Sequence, residues 1–364
     1  MLHKKNTPLV TIAIPNYNMG KYIGGAIESA LSQTFTDFEL LIVNNVSTDN
    51  SWDIIKHYKK MDSRIVAVNL DRHIPLPIKN WNKCLDIARG KYIVFLHADD
   101  ILKPDFLKLN LEVFDSNPDL GYVFAEKEYI DDQGNVYPSH VFYKDSGIIP
   151  GMEEARVNLL GWHTAPVQML IRTECMREVG GYEFSDCLPV LLLNFGWDVG
   201  YRKEILVQYR RHEASASSIS IKDKTLIQVL YLTKMMALNL FLPPGTERLE
   251  ELKPEIKKNT AMACLKAYCM DVLGRNENSL CREYMHLARG FWEGVCDNPL
   301  YQFLEKACLK CDWTPEALNK AWSAIAPPTP GTAPPYPLPE GSRPFTAKNI
   351  SRQAPVDAII PPMP

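Results

Sequence analysis

The chain has 364 residues, 46% of them hydrophobic and 23% charged, with a net charge of −3 from 40 Lys and Arg against 43 Asp and Glu. That length predicts about two to three domains with a full core and no need of disulfide staples. The charge balance gives no support to nucleic-acid binding through a basic face, and the lack of any run of 18 apolar residues excludes a bilayer-spanning helix.

The first residues lead into a polar stretch without an apolar core, so no secretion leader is expected. Residues 10–14 form a short apolar run that predicts a buried strand, stopped by the turn cluster Pro15-Asn16-Tyr17-Asn18. Residues 22–33 carry Ile23, Ala26, Ile27, Ala30 and Leu31 on one helical face. A second strand over 38–43, a polar loop over 44–50, a helix over 51–60 and a third strand over 65–68 follow. The next helix, over 80–88, is read as ending at a Gly90 cap. A fourth strand over 92–96 runs straight into His97-Ala98-Asp99-Asp100, and Pro104 suits the first turn of a helix. Residues 121–129 and 136–143 flank a turn at Asp131-Asp132-Gln133-Gly134, which predicts a hairpin. This alternation predicts an α/β fold, a mainly parallel sheet flanked by helices, with ligands at the carboxyl ends of its strands. From about residue 221 to 326 the chain reads as helical throughout. The stretch 226–242 forms a helix with a wide apolar face, either packed on the rest of the chain or laid on a membrane surface.

Residues 327–364 hold 12 of the 27 prolines. That density suits neither helix nor central strand, so a disordered tail outside the core is expected, whose removal leaves stability unchanged. The expected division is therefore 1–220, 221–326 and 327–364. Nine cysteines are scattered and odd in number, which predicts reduced thiols. Cys308 and Cys311 supply half a structural zinc site at most and read as helix surface.

Neither a Gly-x-Gly-x-x-Gly loop nor a Walker loop is present. What remains is Tyr17, the polar loop 44–49 and the paired acids Asp99 and Asp100 beyond a buried strand. Together they suggest a nucleotide held without a glycine cradle, its phosphates neutralised by a metal.

In order and spacing, residues 8–18, 30–43 and 47–49, the segment 88–100 ending in Asp99-Asp100, Arg177 to Tyr182, and Tyr209 to Ser217 resemble the family 2 glycosyltransferases. The resemblance covers about residues 8–217 and implies the A-type glycosyltransferase fold. It also implies inverting transfer from a UDP- or dTDP-linked sugar to a glycan or lipid-linked acceptor in surface polysaccharide synthesis, helped by Mn²⁺ or Mg²⁺. A divalent ion stabilises a departing diphosphate as a Lewis acid, and hard cations take carboxylate oxygens.

Residue by residue, the resemblance places Asp99 as the metal ligand, with Asp100 as a second. Either acid can instead cap the following helix. His97 stands where the family often has an acid and would contact ribose or metal, with a satisfied histidine at the strand end as the equal alternative. Tyr17 would border the base, with Pro15 lending backbone contacts. Asn44 replaces an acid that accepts from the base, and its carbonyl keeps uracil or thymine readable. Asp186 is the expected general base, with helix capping as the competing role. Arg210 would hold phosphate oxygens and His212 would reach the metal or the diphosphate. Trp162, His163 and Thr164 fall where an acceptor pocket is expected. These assignments predict a cytoplasmic enzyme, with peripheral contact at the membrane face as a possibility, and no nucleic-acid partner. The replacements Asn44, His97 and Ser185 leave a nucleotide-sugar-binding module without turnover as the alternative.

Overall fold

The structure, a computed structural model, describes residues 7–137, 141–310, 312–325 and 334–345. The chain divides into two compact units. The first comprises Met1–Arg156, His163–Arg211 and Pro334–Pro364; the second comprises Val157–Trp162 and His212–Ala333. The division after Arg211 comes earlier than the expected boundary at 220.

The first unit opens β1 (Val10–Asn16), α1 (Ile23–Leu31), β2 (Phe38–Asn44), α2 (Ser51–Met61), β3 (Ile65–Asn69), α3 (Pro77–Ile87) and β4 (Tyr92–Phe95). It continues with β5 (Ile101–Leu102), α4 (Phe106–Ser116), β6 (Tyr122–Ile130), β7 (Val136–Tyr137), β8 (Gly147–Ile149) and α5 (Gly151–Leu160). Then come β9 (Met169–Arg172), α6 (Thr173–Glu178), α7 (Leu188–Gly196) and β10 (Val199–Arg210). The strands form one sheet in the order β3-β2-β1-β4-β9-β6-β10-β5, with β7 on β6 and β8 on β10. β9 is antiparallel to both β4 and β6. Consequently β1, β2, β3, β4, β6 and β10 all point one way.

β2 and β4 are buried along their whole length and β1 nearly so, which is why they read as unbroken apolar runs rather than alternating ones. Ile23, Ala26, Ile27 and Ala30 of α1 join Ile12, Leu40 and Val94 in the core beside the sheet. The expected hairpin forms between β6 and β7, with Tyr129 opposite Tyr137. Residues 138–140 of its expected second arm lie outside the described residues. Gly90 corrects the capping expectation, because α3 ends at Ile87 and Gly90 does not take a left-handed conformation. Its role is close approach: a Cβ there would sit 2.4 Å from the Thr11 nitrogen of β1.

Part of the proline-rich stretch also differs from expectation. Residues 334–345 lie on the first unit. Arg343 and Ile148 exchange main-chain hydrogen bonds at 2.9 and 2.7 Å, and Tyr336 bonds to Phe142 and Lys144 at 2.7 and 2.8 Å. The Arg343 guanidinium pairs with Asp198 at 2.8 Å, and that of Arg202 lies over the Phe345 ring. Single-residue bridges and one aromatic anchor hold this strap, so proline density did not preclude it. Deleting Pro334–Pro364 should lower stability by about 2–3 kcal/mol, since Ile148 is buried and loses its partners. At about 2–4 °C per kcal/mol that is a fall of about 5–10 °C in melting temperature by calorimetry; an unchanged transition would contradict the docking. Residues 327–333 and 346–364 lie outside the described residues.

The second unit is helical: α8 (Ala216–Lys222), α9 (Thr225–Leu240), α10 (Lys253–Ala263), α11 (Met270–Gly274), α12 (Asn278–Phe291), α13 (Pro299–Ala307) and α14 (Pro315–Ile325). A π-helical segment, Cys264–Cys269, joins α10 to α11. Leu265, Val272, Tyr284, Leu304 and Leu318 are among its core residues. On α9 the buried positions are Ile227, Thr233, Lys234, Ala237 and Leu238, and the Lys234 ammonium bonds to the Gly161 carbonyl at 2.8 Å. Among the described residues no helix is long and apolar enough to cross a membrane. Cys308 is buried rather than on the surface, with its sulfur 3.2 Å from that of Cys281, while Cys311 lies outside the described residues.

Candidate active site

The parallel strands deliver their carboxyl ends to one edge. Asn16 of β1 is in register with Asn44 of β2, and Asn44 with Asn69 of β3. Their amides are knitted together: Asn16 Nδ2 donates to Asn44 Oδ1 at 2.7 Å, Ser47 Oγ donates to the same oxygen at 2.6 Å, and Asn44 Nδ2 donates to Asn69 Oδ1 at 2.6 Å. Both lone pairs of the Asn44 carbonyl are thus engaged, and Asn44 is 1% exposed. The acceptor expected to read a base is therefore committed to the strand ends. An asparagine in place of an acid adds a donor that ties β2 to β3. Beyond this network the Tyr17 ring is exposed and lies 4.5 Å from that of His73, and the preceding Pro15 is half-buried.

The turn after β4 carries the charged centre. His97, Asp99 and Asp100 each offer a ligand atom within 4.8 Å of the others. Asp100 is 1% exposed; its Oδ2 bonds to His97 Nδ1 at 3.0 Å and its Oδ1 accepts from the Arg210 main-chain N–H at 2.8 Å. His97 Nε2 is buried and has no hydrogen-bond partner among the described residues. Burial disfavours the charged imidazole, but the hydrogen bond to Asp100 and the charges of Asp100, Asp99 and Asp186 outweigh it, leaving the His97 pKa raised. Burial raises that of Asp100 too. One imidazole and two carboxylates are a donor set that fits a divalent cation.

Arg210, the residue expected to hold phosphate oxygens, stands at the end of β10. Its Nε donates to the Asp99 carbonyl at 2.9 Å and its Nη1 to the Asp131 carbonyl at 2.7 Å, with the guanidinium over the Tyr22 ring. It braces the Asp99 turn against the loop after β6. The neighbouring Arg211 lies over Tyr129, 4.0 Å from the ring centre.

Asp186 arrives by a different route. Gly180 and Gly181 have φ of 82° and 69°, the left-handed region that favours glycine. That turn aligns the Tyr182 peptide with Asn82 of α3, which accepts from Tyr182 N at 2.7 Å and donates to Tyr182 O at 2.9 Å. The Tyr182 ring meets Trp81 and Phe95 edge-on at 4.8 and 5.0 Å, and Trp81 lies 4.9 Å from His97. Asp186, four residues on, is close enough for its charge to act on both His97 and Tyr182. It does not cap α7: the Leu188 N–H at that helix start donates to Ser185 Oγ at 3.1 Å. Ser185 supplies that hydrogen bond, while Asp186 is half-buried and its Oδ1 accepts from Cys187 Sγ at 3.4 Å.

Sequence reasoning missed Trp81, whose place in α3 reads as ordinary core packing, and the bracing by Arg210. His212 opens the second unit, where its carbonyl accepts from Ser215 N at 3.1 Å and Ser218 Oγ at 2.8 Å at the start of α8. Trp162 also belongs to that unit. His163 is a half-buried residue of the first unit, with Nε2 2.7 Å from Glu154 and its ring stacked on Phe142 at 3.8 Å. Thr164 is buried.

Residues 11–179 match the family model described as Glycosyl transferase family 2. The chain is 36% identical over 132 residues to the chondroitin synthase of Escherichia coli, covering 36% of this chain and 19% of that one. It resembles S. aureus TarS in complex with UDP-GlcNAc with a TM-score of 0.57 at 17% identity, over 82% of this chain and 90% of that one. It also resembles the mannosyltransferase PcManGT of Pyrobaculum calidifontis, solved with GDP-Man and Mn²⁺, with a TM-score of 0.52 at 14% identity over 88% of each chain. These structures share the fold that the sequence led us to expect. The chain spans less than half the length of the first curated relatives it matches.

Proposed function

We propose, from the match of residues 11–179 to the glycosyl transferase family 2 model, that the protein transfers a sugar from a nucleoside-diphosphate sugar to a hydroxyl of a glycan or lipid-linked acceptor in polysaccharide synthesis. The observation that carries this reading is the cluster in the turn after β4, where His97, Asp99 and Asp100 each offer a ligand atom within 4.8 Å of the others at the carboxyl edge of the parallel strands.

In this reading the acceptor hydroxyl oxygen attacks the anomeric carbon and its proton passes to the Asp186 carboxylate. The bond from that carbon to the diphosphate oxygen breaks, and the configuration inverts. A divalent ion at the His97, Asp99 and Asp100 cluster would supply Lewis-acid stabilisation of the charge gathering on the leaving diphosphate. Arg210 keeps the Asp99 turn in place, so that turn need not reorganise during the reaction. Tyr17 offers an exposed aromatic face for a base at the β1 end. With the Asn44 carbonyl engaged, the uridine or thymidine preference loses its basis in that residue, and the donor base becomes a question for measurement. The Escherichia coli relative, a chondroitin synthase, supports a polysaccharide product.

The test is a panel of UDP-, dTDP- and GDP-sugars with Mn²⁺, read by thermal stabilisation and then by product formation on polysaccharide acceptors. A ligand that binds only the folded state must raise the melting temperature. Product with inverted anomeric configuration is expected with the donor that stabilises most. Stabilisation without transfer across the acceptor panel would replace the enzyme with a binding module.

A further inference from the structure

We propose that His97 is itself a metal ligand through Nε2, and that it makes this site prefer divalent transition ions such as Mn²⁺ and Co²⁺ over Mg²⁺. Asp100 is the positioning residue that aims the imidazole and is not a ligand. This rests on the reading of the cluster as a divalent-ion site and goes beyond it by assigning the ligand atoms and the selectivity.

Four observations lead to it. His97 Nδ1 is committed to Asp100 Oδ2 at 3.0 Å. A carboxylate accepts from that nitrogen, so Nε2 lies on the side of the ring away from Asp100. Nε2 is buried without a hydrogen-bond partner among the described residues, which costs about 1–3 kcal/mol unless an electrophile or donor fills the place. Asp100 cannot compete for an ion on equal terms, since both its oxygens are engaged, by His97 and by the Arg210 N–H, and it is 1% exposed. The ring is also held by aromatic contacts, Trp81 at 4.9 Å and the Tyr209 edge at 6.4 Å. A histidine whose second nitrogen is anchored on a buried carboxylate is the usual arrangement of a metal-bound imidazole.

Selectivity follows from the ligand type. Mg²⁺ demands oxygen donors in a near-ideal octahedron and gives up its waters reluctantly. Imidazole suits later ions, and affinity at a mixed nitrogen and oxygen site rises from Mn²⁺ to Co²⁺. Asp99 supplies the carboxylate oxygen and His97 the nitrogen that discriminates.

The experiment uses the full chain with Mn²⁺ alone. Pulsed electron paramagnetic resonance should show coupling of bound Mn²⁺ to a ¹⁴N nucleus, which changes to the ¹⁵N pattern when the protein is grown with ¹⁵N-histidine. That readout needs no variant. His97→Asp, checked for folding by circular dichroism, should lose the coupling and lower the ratio of Co²⁺ to Mg²⁺ affinity by at least about tenfold. Asp100→Asn should weaken Mn²⁺ by about 10–100-fold while keeping the nitrogen coupling. Bound Mn²⁺ that depends on Asp99 but shows no nitrogen coupling would overturn this proposal and leave the proposed transferase intact. The same holds if His97→Asp leaves the Co²⁺ to Mg²⁺ ratio unchanged. Failure of the wild type to bind Mn²⁺ even with a nucleoside diphosphate present would overturn both the ligand assignment and the divalent-ion part of the proposed function.

Discussion

Asp186→Asn should cut the turnover number of sugar transfer by about 10²–10⁴-fold while donor affinity stays within a small factor, because an amide keeps the shape of the carboxylate but cannot take the acceptor proton. The competing explanation for an acid at this position, a helix cap, is met by another residue: Ser185 Oγ accepts from the Leu188 N–H. The two roles therefore separate experimentally. Ser185→Ala should cost about 1 kcal/mol of stability, the ordinary value of a cap, and leave turnover near wild type. Asp186→Asn should do the reverse. Single-turnover rates and calorimetric donor affinities on both variants check this, and a turnover number unchanged by Asp186→Asn would remove Asp186 as the base.

Asp99→Asn should weaken the Mn²⁺-dependent binding of a nucleoside diphosphate by more than about 100-fold, a loss beyond that of an outer-shell partner. The fold should survive, because the turn is anchored through main-chain and neighbouring groups. Arg210 Nε holds the Asp99 carbonyl, Arg210 Nη1 holds that of Asp131, and Asp100 takes the Arg210 N–H. Titration calorimetry of UDP and GDP with and without Mn²⁺ is the measurement, with circular dichroism as the control. Binding that is equally metal-enhanced in the variant would show that the ion is held elsewhere.

The α/β architecture and the edge that bears the site were legible because buried parallel strands leave continuous apolar runs. β1, β2 and β4 each end in a recognisable break: Pro15 and Asn16, the polar loop from Asn44, and His97 to Asp100. β9 and β10 left no comparable trace. β9 has only four residues and ends in Arg172, and β10 carries register shifts between Arg202 and Ile205 and between Ile205 and Val207 that scramble its alternation. The strap of residues 334–345 was hidden for a related reason, since it docks through isolated bridges at Tyr336 and Arg343 that produce no periodic pattern.

At the site, residue type and order along the chain make Asp99, His97 and Asp186 candidates. What each does depends on partners distant in sequence. Asp100 becomes a buried orienter because the end of β10 brings the Arg210 N–H to it across 110 positions of chain. The Asn44 carbonyl is unavailable because strand register sets it against Asn16 and Asn69. Arg210 becomes a brace because the ends of β4, β6 and β10 meet. Local sequence carries chemistry and periodicity, but whether a polar atom is free or engaged is settled by hydrogen bonds between strands, and those exist only once the sheet has formed.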